Sequence, residues 1–163
     1  MEETAKLKPG ARTDESVAKL EWLIEISRSL NSTLELRPLL DRVVVAAQEL
    51  TDTEAASILL IDRKSNQLYF ESATNMPGVH SIVVPMENSI AGQVVKTARP
   101  MVVPDTSKAE HFFHQADEQS EFDTRSLLAV PMVVRANVIG VLEAVNKRKG
   151  AAFTRQDVEL LTV

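Results

Sequence analysis

Two apolar runs near the end of the chain, "SLLAVPMVV" over residues 126–134 and "VIGVLEAVNK" over 138–147, are separated only by the three residues "RAN". Aliphatic and β-branched residues dominate both runs. A gap this short holds only a tight turn, so the two segments form an antiparallel hairpin. Asn137 supplies the left-handed backbone that such a turn needs. The remaining strand-like stretches must join a sheet of this sense. "AASILLID" and "LYFESAT" flank the polar turn "RKSNQ" and form a second hairpin, while "SIVVPM" and "PMVVPD" add one strand each. None of these strands is linked to the next by a segment that reads as a parallel crossover. The pattern predicts an α+β fold, a six-stranded antiparallel sheet with helices packed on it.

Helical spacing appears in four places. Val17, Leu20, Leu23, Ile24, Leu30 and Leu34 recur at three- and four-residue intervals, with Trp22 and Ile26 widening the stripe and Thr13 or Asp14 available as a cap. A second helix begins near Pro38 and buries Leu39, Leu40, Val43, Val44, Ala47 and Leu50. Its β-branched run from Val43 to Val45 lowers its intrinsic propensity, so packing holds it. A short helix spans Ser89 to Thr97. The last begins at Thr154, where Asp157 completes a capping-box pattern, and no Gly, Pro or polar cluster stops it. That lack of a stop predicts a connecting helix cut short at the chain's end, leading to a linked output domain. Residues 1–13 are polar and contain Pro9 and Gly10, and read as a disordered lead-in. Residues 14–163 read as a single domain. The apolar stripe on the first helix, together with the last helix, points to homodimerisation through the terminal helices.

Composition narrows the function. The formal charge is −5 over 163 residues, which gives no electrostatic footprint for nucleic acid. No apolar run reaches the length of a membrane span, so no membrane partner is expected. Cysteine is absent, which removes thiol nucleophiles, disulfides and thiolate metal sites and fits a cytoplasmic setting. No P-loop, nucleophile elbow or zinc-hydrolase helix is present, so no catalytic residue is assigned and the chain is not expected to be an enzyme.

The order of these pieces resembles the GAF domain, a small ligand-sensing module of signalling proteins whose fold is related to that of PAS domains. "ASILLID" is similar to the family's first strand, "SIAGQVVKTARPMVVPD" to its pocket helix and following strand, and "RSLLAVPM" with "VIGVLEAVNK" to its closing hairpin. Asn146 and Lys147, then Phe153 and Asp157, resemble the Asn-Lys…Phe-x-x-x-Asp-Glu signature of cyclic-nucleotide-binding members, although Val158 stands where that signature ends in Glu. The resemblance implies that Lys147 and Asp157 pair as a structural lock rather than touching ligand. "FFHQADEQSEFDTRS" resembles the pocket loop of those members, with Phe112, Asp117, Ser120, Phe122 and Thr124 on matching residue types. Phe113 and Glu121 depart from the pattern. One enzymatic lineage of the family reduces free methionine sulfoxide with cysteines; it and covalent bilin attachment are excluded by their absence.

The resemblance implies a regulatory domain in a larger bacterial signalling protein, with a small-molecule ligand, a cyclic nucleotide first among candidates, and no permanent cofactor. The opening of the Ser89–Thr97 helix suits the anionic end of such a ligand. Its first N–H groups lack helical partners, and Ser89, Ile90, Ala91 and Gly92 are small or present backbone. Ser89 could equally be only the N-cap, with Asn88 competing for that role. Phe112 offers a stacking surface for a base or, alternatively, seals the loop as a core residue. Ser57, Asp105, Asp117 and Thr124 offer hydrogen bonds. His111 and His114, near Asp117 and Glu118, suggest the alternative of a haem or non-haem iron sensor, though no metal ligand is assigned. A ligand-free dimerisation or spacer module is the other alternative. Glu143 lies in the last apolar strand, where alternation is expected to turn it outward.

Overall fold

The computed structural model describes residues 36–162. The expected lead-in and the helix over Val17 to Leu34 lie outside the described residues. From Leu39 onward the chain forms one compact unit. Helix α1 covers residues 36–51. The strands β1 (Thr53–Asp62) and β2 (Gln67–Ala73) follow, then a single 3-10 turn at Val79–Ser81, the two-residue strand β3 (Val83–Val84), helix α2 (Ile90–Thr97) and β4 (Met101–Val103). A further 3-10 turn at Thr106–Lys108 and helix α3 (Gln115–Ser120) precede the long strands β5 (Leu127–Val134) and β6 (Asn137–Lys147). A third such turn, Arg148–Gly150, leads to helix α4 (Arg155–Leu161).

The six strands form one antiparallel sheet in the order β3-β2-β1-β6-β5-β4. The two long strands β1 and β6 therefore lie at its centre. Successive side chains on a strand point to opposite faces, and both faces of this sheet are covered. Ala56 and Ile58 of β1, Leu128 and Val130 of β5 and Leu142 and Ala144 of β6 pack with Leu40, Val44 and Ala47 of α1 and Leu161 of α4. Ala55 and Leu59, Leu127 and Ala129, and Val141 and Val145 point the other way, where Ile90, Ala91 and Val94 of α2 close over them.

Two irregularities shape the sheet. Ile58 pairs with Ser72 but Leu59 with Phe70, so Glu71 is an extra residue on β2. This bulge lets Phe70 pack in the core under α2, while the Ser72 hydroxyl donates to Asp41 of α1 at 2.5 Å. The β5–β6 turn is tighter than the three residues expected from the sequence. Val134 pairs with Asn137, and the left-handed residues are Arg135 and Ala136, at φ 50° and 65°. Two consecutive positive φ values make the turn a mirror-type hairpin turn, whose twist matches the strands. Asn137 instead begins β6 and donates its amide to the Arg135 carbonyl at 3.2 Å.

The segment 104–126 is the other departure. It reads as a polar loop, yet it carries the Thr106–Lys108 turn and the six-residue α3. Ala109, Phe112, Phe113, Ala116 and Phe122 supply enough apolar surface to seat it on the core. Its base is closed by Thr106, whose N–H donates to the Arg125 carbonyl at 2.9 Å and whose hydroxyl donates to the Thr124 carbonyl at 2.5 Å. The residues between are thus a lid with both ends pinned together.

Candidate functional site

Under this lid, on the α2 face of the sheet, is a cavity of about 50 Å³. Leu59, Phe70 and Val145 line it from the sheet, Ser89 to Ala91 at the start of α2, and Phe112, Phe113 and Ala116 from the lid. Four polar residues line it: Ser89, Asp117, Thr124 and Glu143. Among the described residues that line it there is no lysine, arginine or histidine. Its volume suits a water-sized group, far below the ~300 Å³ and more of ordinary ligand pockets. A nucleotide therefore needs the lid to move.

Glu143 corrects the sequence reading. Alternation does place it opposite Leu142 and Ala144, but both faces of the sheet are covered, so the opposite side is the cavity and not solvent. Burial pushes its carboxyl up to about 7. The Ser57 hydroxyl, donating to Oε2 at 3.2 Å from the paired position on β1, opposes that rise, and the nearby Asp117 carboxylate adds to it. Near neutral pH, then, the cavity holds an acid that binds or sheds a proton. The sequence signal for this was present: a lone acid in an apolar central strand.

The start of α2 is engaged in its own capping. Ser89 is the N-cap; its hydroxyl accepts from Gly92 N–H at 3.0 Å and donates to the Pro85 carbonyl at 2.5 Å. Asn88 does not take that role. Gly92 does not open space for a ligand: a Cβ there would lie 1.8 Å from the Met86 carbonyl oxygen. What α2 presents to the cavity is Ile90 and Ala91, whose backbone belongs to the first turn.

The lid organises itself around Asp117. Both of its carboxylate oxygens accept from Thr124, Oδ1 from the hydroxyl at 2.6 Å and Oδ2 from the backbone N–H at 2.7 Å. Phe112 lies over the cavity and meets His114 edge-on, with ring centroids 4.7 Å apart. The expected site residues thus separate into groups. Ser89, Ile90, Ala91, Phe112, Asp117 and Thr124 converge on the cavity. Ser57 is fully buried beside it and acts through Glu143. Asp105 sits elsewhere: it caps the Thr106–Lys108 turn by accepting from Ser107 and lines an open outer concavity with His111. His111 lines that outer concavity while His114 packs on Phe112, and no group of three or more metal-binding side chains occurs among the described residues.

Lys147 lies away from the cavity, its ammonium donating to both oxygens of Asp157 at 2.7 and 2.9 Å. Asp157 also accepts from Thr154 N–H at 2.8 Å, while its own N–H donates to the Thr154 hydroxyl at 3.2 Å, completing a capping box on α4. Burial alone would raise the Asp157 carboxyl; the bonds from Lys147 and Thr154 outweigh it and hold it below the usual aspartate value. Beside this pair is a residue the sequence marked only as part of a signature. Asn146 is 1% exposed and left-handed at φ 59°, and its amide makes four hydrogen bonds.

The GAF domain family model matches residues 35–163. The chain belongs to the GAF domain family. Its sequence is 29% identical over 170 residues to a probable 3',5'-cyclic phosphodiesterase of Caenorhabditis elegans, covering 94% of this chain and 23% of that protein. Over 80 residues it is 39% identical to the cone cGMP-specific 3',5'-cyclic phosphodiesterase subunit alpha' of Bos taurus, covering 49% of this chain and 9% of that one. The chain thus spans less than a quarter of the length of these relatives. Among solved structures, it is similar to the GAF domain of a phosphoenolpyruvate-protein phosphotransferase from Coxiella burnetii, with a TM-score of 0.69 at 20% identity, covering 87% of each chain. It also shares its fold with a free methionine-R-sulfoxide reductase from Neisseria meningitidis, with a TM-score of 0.61 at 18% identity, covering 77% of this chain and 70% of that one. The six-stranded antiparallel sheet is what the sequence pattern predicted, and the family is the one its motifs resemble. Among the described residues no helix is long and apolar enough to cross a membrane.

Proposed function

We propose that this GAF domain is a regulatory, non-catalytic sensor in a larger signalling protein, and that its ligand is a cyclic nucleotide held between the sheet and the lid. The observation that carries the reading is the convergence of six expected pocket residues on one cavity roofed by a segment whose two ends are pinned together. The likeness to two proteins named as cyclic phosphodiesterases supports the ligand class. The closed cavity is too small for a nucleotide, so binding selects an open lid and shifts the population toward it. Ile90 and Ala91 would face the phosphate, Phe112 the base, and Glu143 with Thr124 the remaining polar groups.

Thermal unfolding with and without cGMP, cAMP and non-cyclic nucleotides tests this. A ligand at a hundred times its Kd adds ~2.7 kcal/mol. For a domain of this size that corresponds to a rise of about 5–10 °C in Tm. No rise with either cyclic nucleotide sinks the proposed ligand class.

A second reading, a dimerisation or spacer module, is favoured by α1. Leu39 and Leu50 lie three turns apart on one side of it and are 55% and 57% exposed. Sedimentation of a Leu39→Glu, Leu50→Glu variant tests that reading: a dimer lost in the variant supports it, and a monomeric wild type removes it.

A further inference from the structure

Glu143 is pulled in opposite directions by the two walls of the cavity. From the sheet, Ser57 on β1 donates its hydroxyl to Oε2 at 3.2 Å, a bond that favours the charged form. The paired residue on β5 is Ala129, and α2 turns Ser89 and Ile90 to the cavity, so neither element brings a charge. The lid does. Asp117 lines the same cavity, both of its oxygens taken up by Thr124, and its carboxylate opposes a second negative charge beside it. Phe112, Phe113 and Ala116 roof the cavity from the same side. The cover and the charge that keep a proton on Glu143 therefore belong to the lid, and the bond that opposes them belongs to the sheet. The lid is closed at its base by Thr106. At its outer end α3 reaches the body through an exposed bond, Gln119 Nε2 donating to the Ser81 hydroxyl at 3.2 Å.

We infer that the lid is proton-gated: it closes over a protonated Glu143 and releases that proton on opening, so the site reads pH together with its ligand. Gating of the lid depends on no ligand; its effect on binding rests on the reading of the cavity as the nucleotide site. Opening takes Asp117 away and admits water, while Ser57 stays in place on the sheet. The carboxyl then returns from about 7 towards the ordinary ~4.3 of a glutamate. A group that ionises more readily in the open form favours opening as pH rises through the span between these two values. Between pH 6 and 8 the open population should grow about tenfold, most of it before pH 7, and then level off. A nucleotide that selects the open lid gains the same factor. Its phosphodiester keeps one charge throughout, so the pH dependence is the protein's own.

Hydrogen exchange of the full chain at pH 6 and 8, without ligand and corrected for the intrinsic rate at each pH, reads the opening directly. The amides of residues 115–124 should lose about tenfold in protection relative to those of β1 and β2. Glu143→Gln cannot ionise and should remove that difference. Should the glutamine variant fail to fold, Ser57→Ala serves. It deletes the sheet's donor, so the lid should go on opening to higher pH before it levels off, a shift of midpoint that a packing change does not give. His111 and His114 also sit on the lid, the second edge-on to Phe112, and His114→Gln should keep the wild-type response. Lid protection that does not change with pH overturns the inference. So does a response that survives Glu143→Gln, which would assign it to the histidines. Binding of cGMP at the two pH values is the separate arm. Affinity about tenfold higher at pH 8 than at pH 6 in the wild type, and flat in Glu143→Gln, supports the coupling. A flat or falling affinity in the wild type overturns it. A wild type that binds cGMP at neither pH removes the proposed nucleotide, and the exchange result alone then decides the gate.

Discussion

The two faces of the sheet are built from the same strands yet to different ends. On the α1 and α4 face, alternate residues of β1, β5 and β6 meet aliphatic side chains of both helices, and the one buried ion pair at its edge is fully bonded. On the α2 face the same strands contribute an equally apolar set plus Glu143, and their cover includes a lid and a cavity. Each face also carries an acid with a displaced pKa, Asp157 buried and Glu143 half-buried at the cavity, and the two respond to pH with opposite sign. Asp157, held low, stabilises the fold in its charged form; Glu143, held high, stabilises it in its protonated form. One face is closed by aliphatic packing, and the other keeps a cavity with an acid in its wall.

The difference can be broken at either side. The largest loss should come from Ile58→Ala on the closed face, about 4 kcal/mol, since Ile58 is fully buried and the gap it leaves has no water to fill it. Urea unfolding gives the number, and a loss below about 1.5 kcal/mol would mean that this face is as loosely packed as the lid. Next is Lys147→Ala, which strands a buried carboxylate and should cost about 3 kcal/mol. That contribution is fully present above the ordinary aspartate pKa of ~3.9 and is lost as pH falls below it. The wild-type advantage over the variant should therefore shrink only in acid, as followed by Tm from pH 6 to 2.5.

Glu143→Gln probes the other face and should show the reverse. An acid whose folded pKa lies above its unfolded value stabilises fully below ~4.3, and that contribution fades as pH rises towards about 7. Wild type should lose about 2 kcal/mol relative to the glutamine variant between pH 4.5 and 7.5, seen as a pH-dependent gap in Tm that the variant lacks. A flat difference would place Glu143 in contact with bulk water. Smaller still is Ser89→Ala, which removes the α2 cap and should cost about 1 kcal/mol. Ala98→Gly should go the other way. Ala98 ends α2 in the left-handed region at φ 52°, so glycine there should stabilise by about 0.5 kcal/mol, measured by the same unfolding curves.

Much of the fold is legible in the sequence. The two hairpins, the N-terminal turns of α2 and α4 and the alternation in β1 and β6 are local signals, carried by Thr154, Asp157, Ser89 and runs of aliphatic residues. The lid was less legible, because α3 is a six-residue helix with a polar sequence, and its seat on the core comes from Phe112, Phe113 and Ala116 meeting residues distant in the chain. Glu143 was misread for a related reason. Alternation states which residues share a face, but whether that face meets water depends on what covers it, and a polar-looking segment supplies the cover. The signature marks Asn146, but its hydrogen bonds are not legible from spacing. Its four partners lie on Glu54 and on residues 123–126, and only the sheet register brings those segments to one point. In the β5–β6 turn the residue type misled: Arg135 and Ala136, not Asn137, take the left-handed positions, because the strand pairing on both sides leaves them no other choice.

One further property follows from where β6 stops. Asn146 and Lys147 are consecutive: the first holds the lid, the second holds α4. A single planar peptide unit separates their Cα atoms, and both residues are bonded into the neighbouring chain, Asn146 N–H to the Ser126 carbonyl and Lys147 N–H to the Ser126 hydroxyl. The anchor of the cavity's roof and the anchor of the final helix are therefore adjacent links of one strand end.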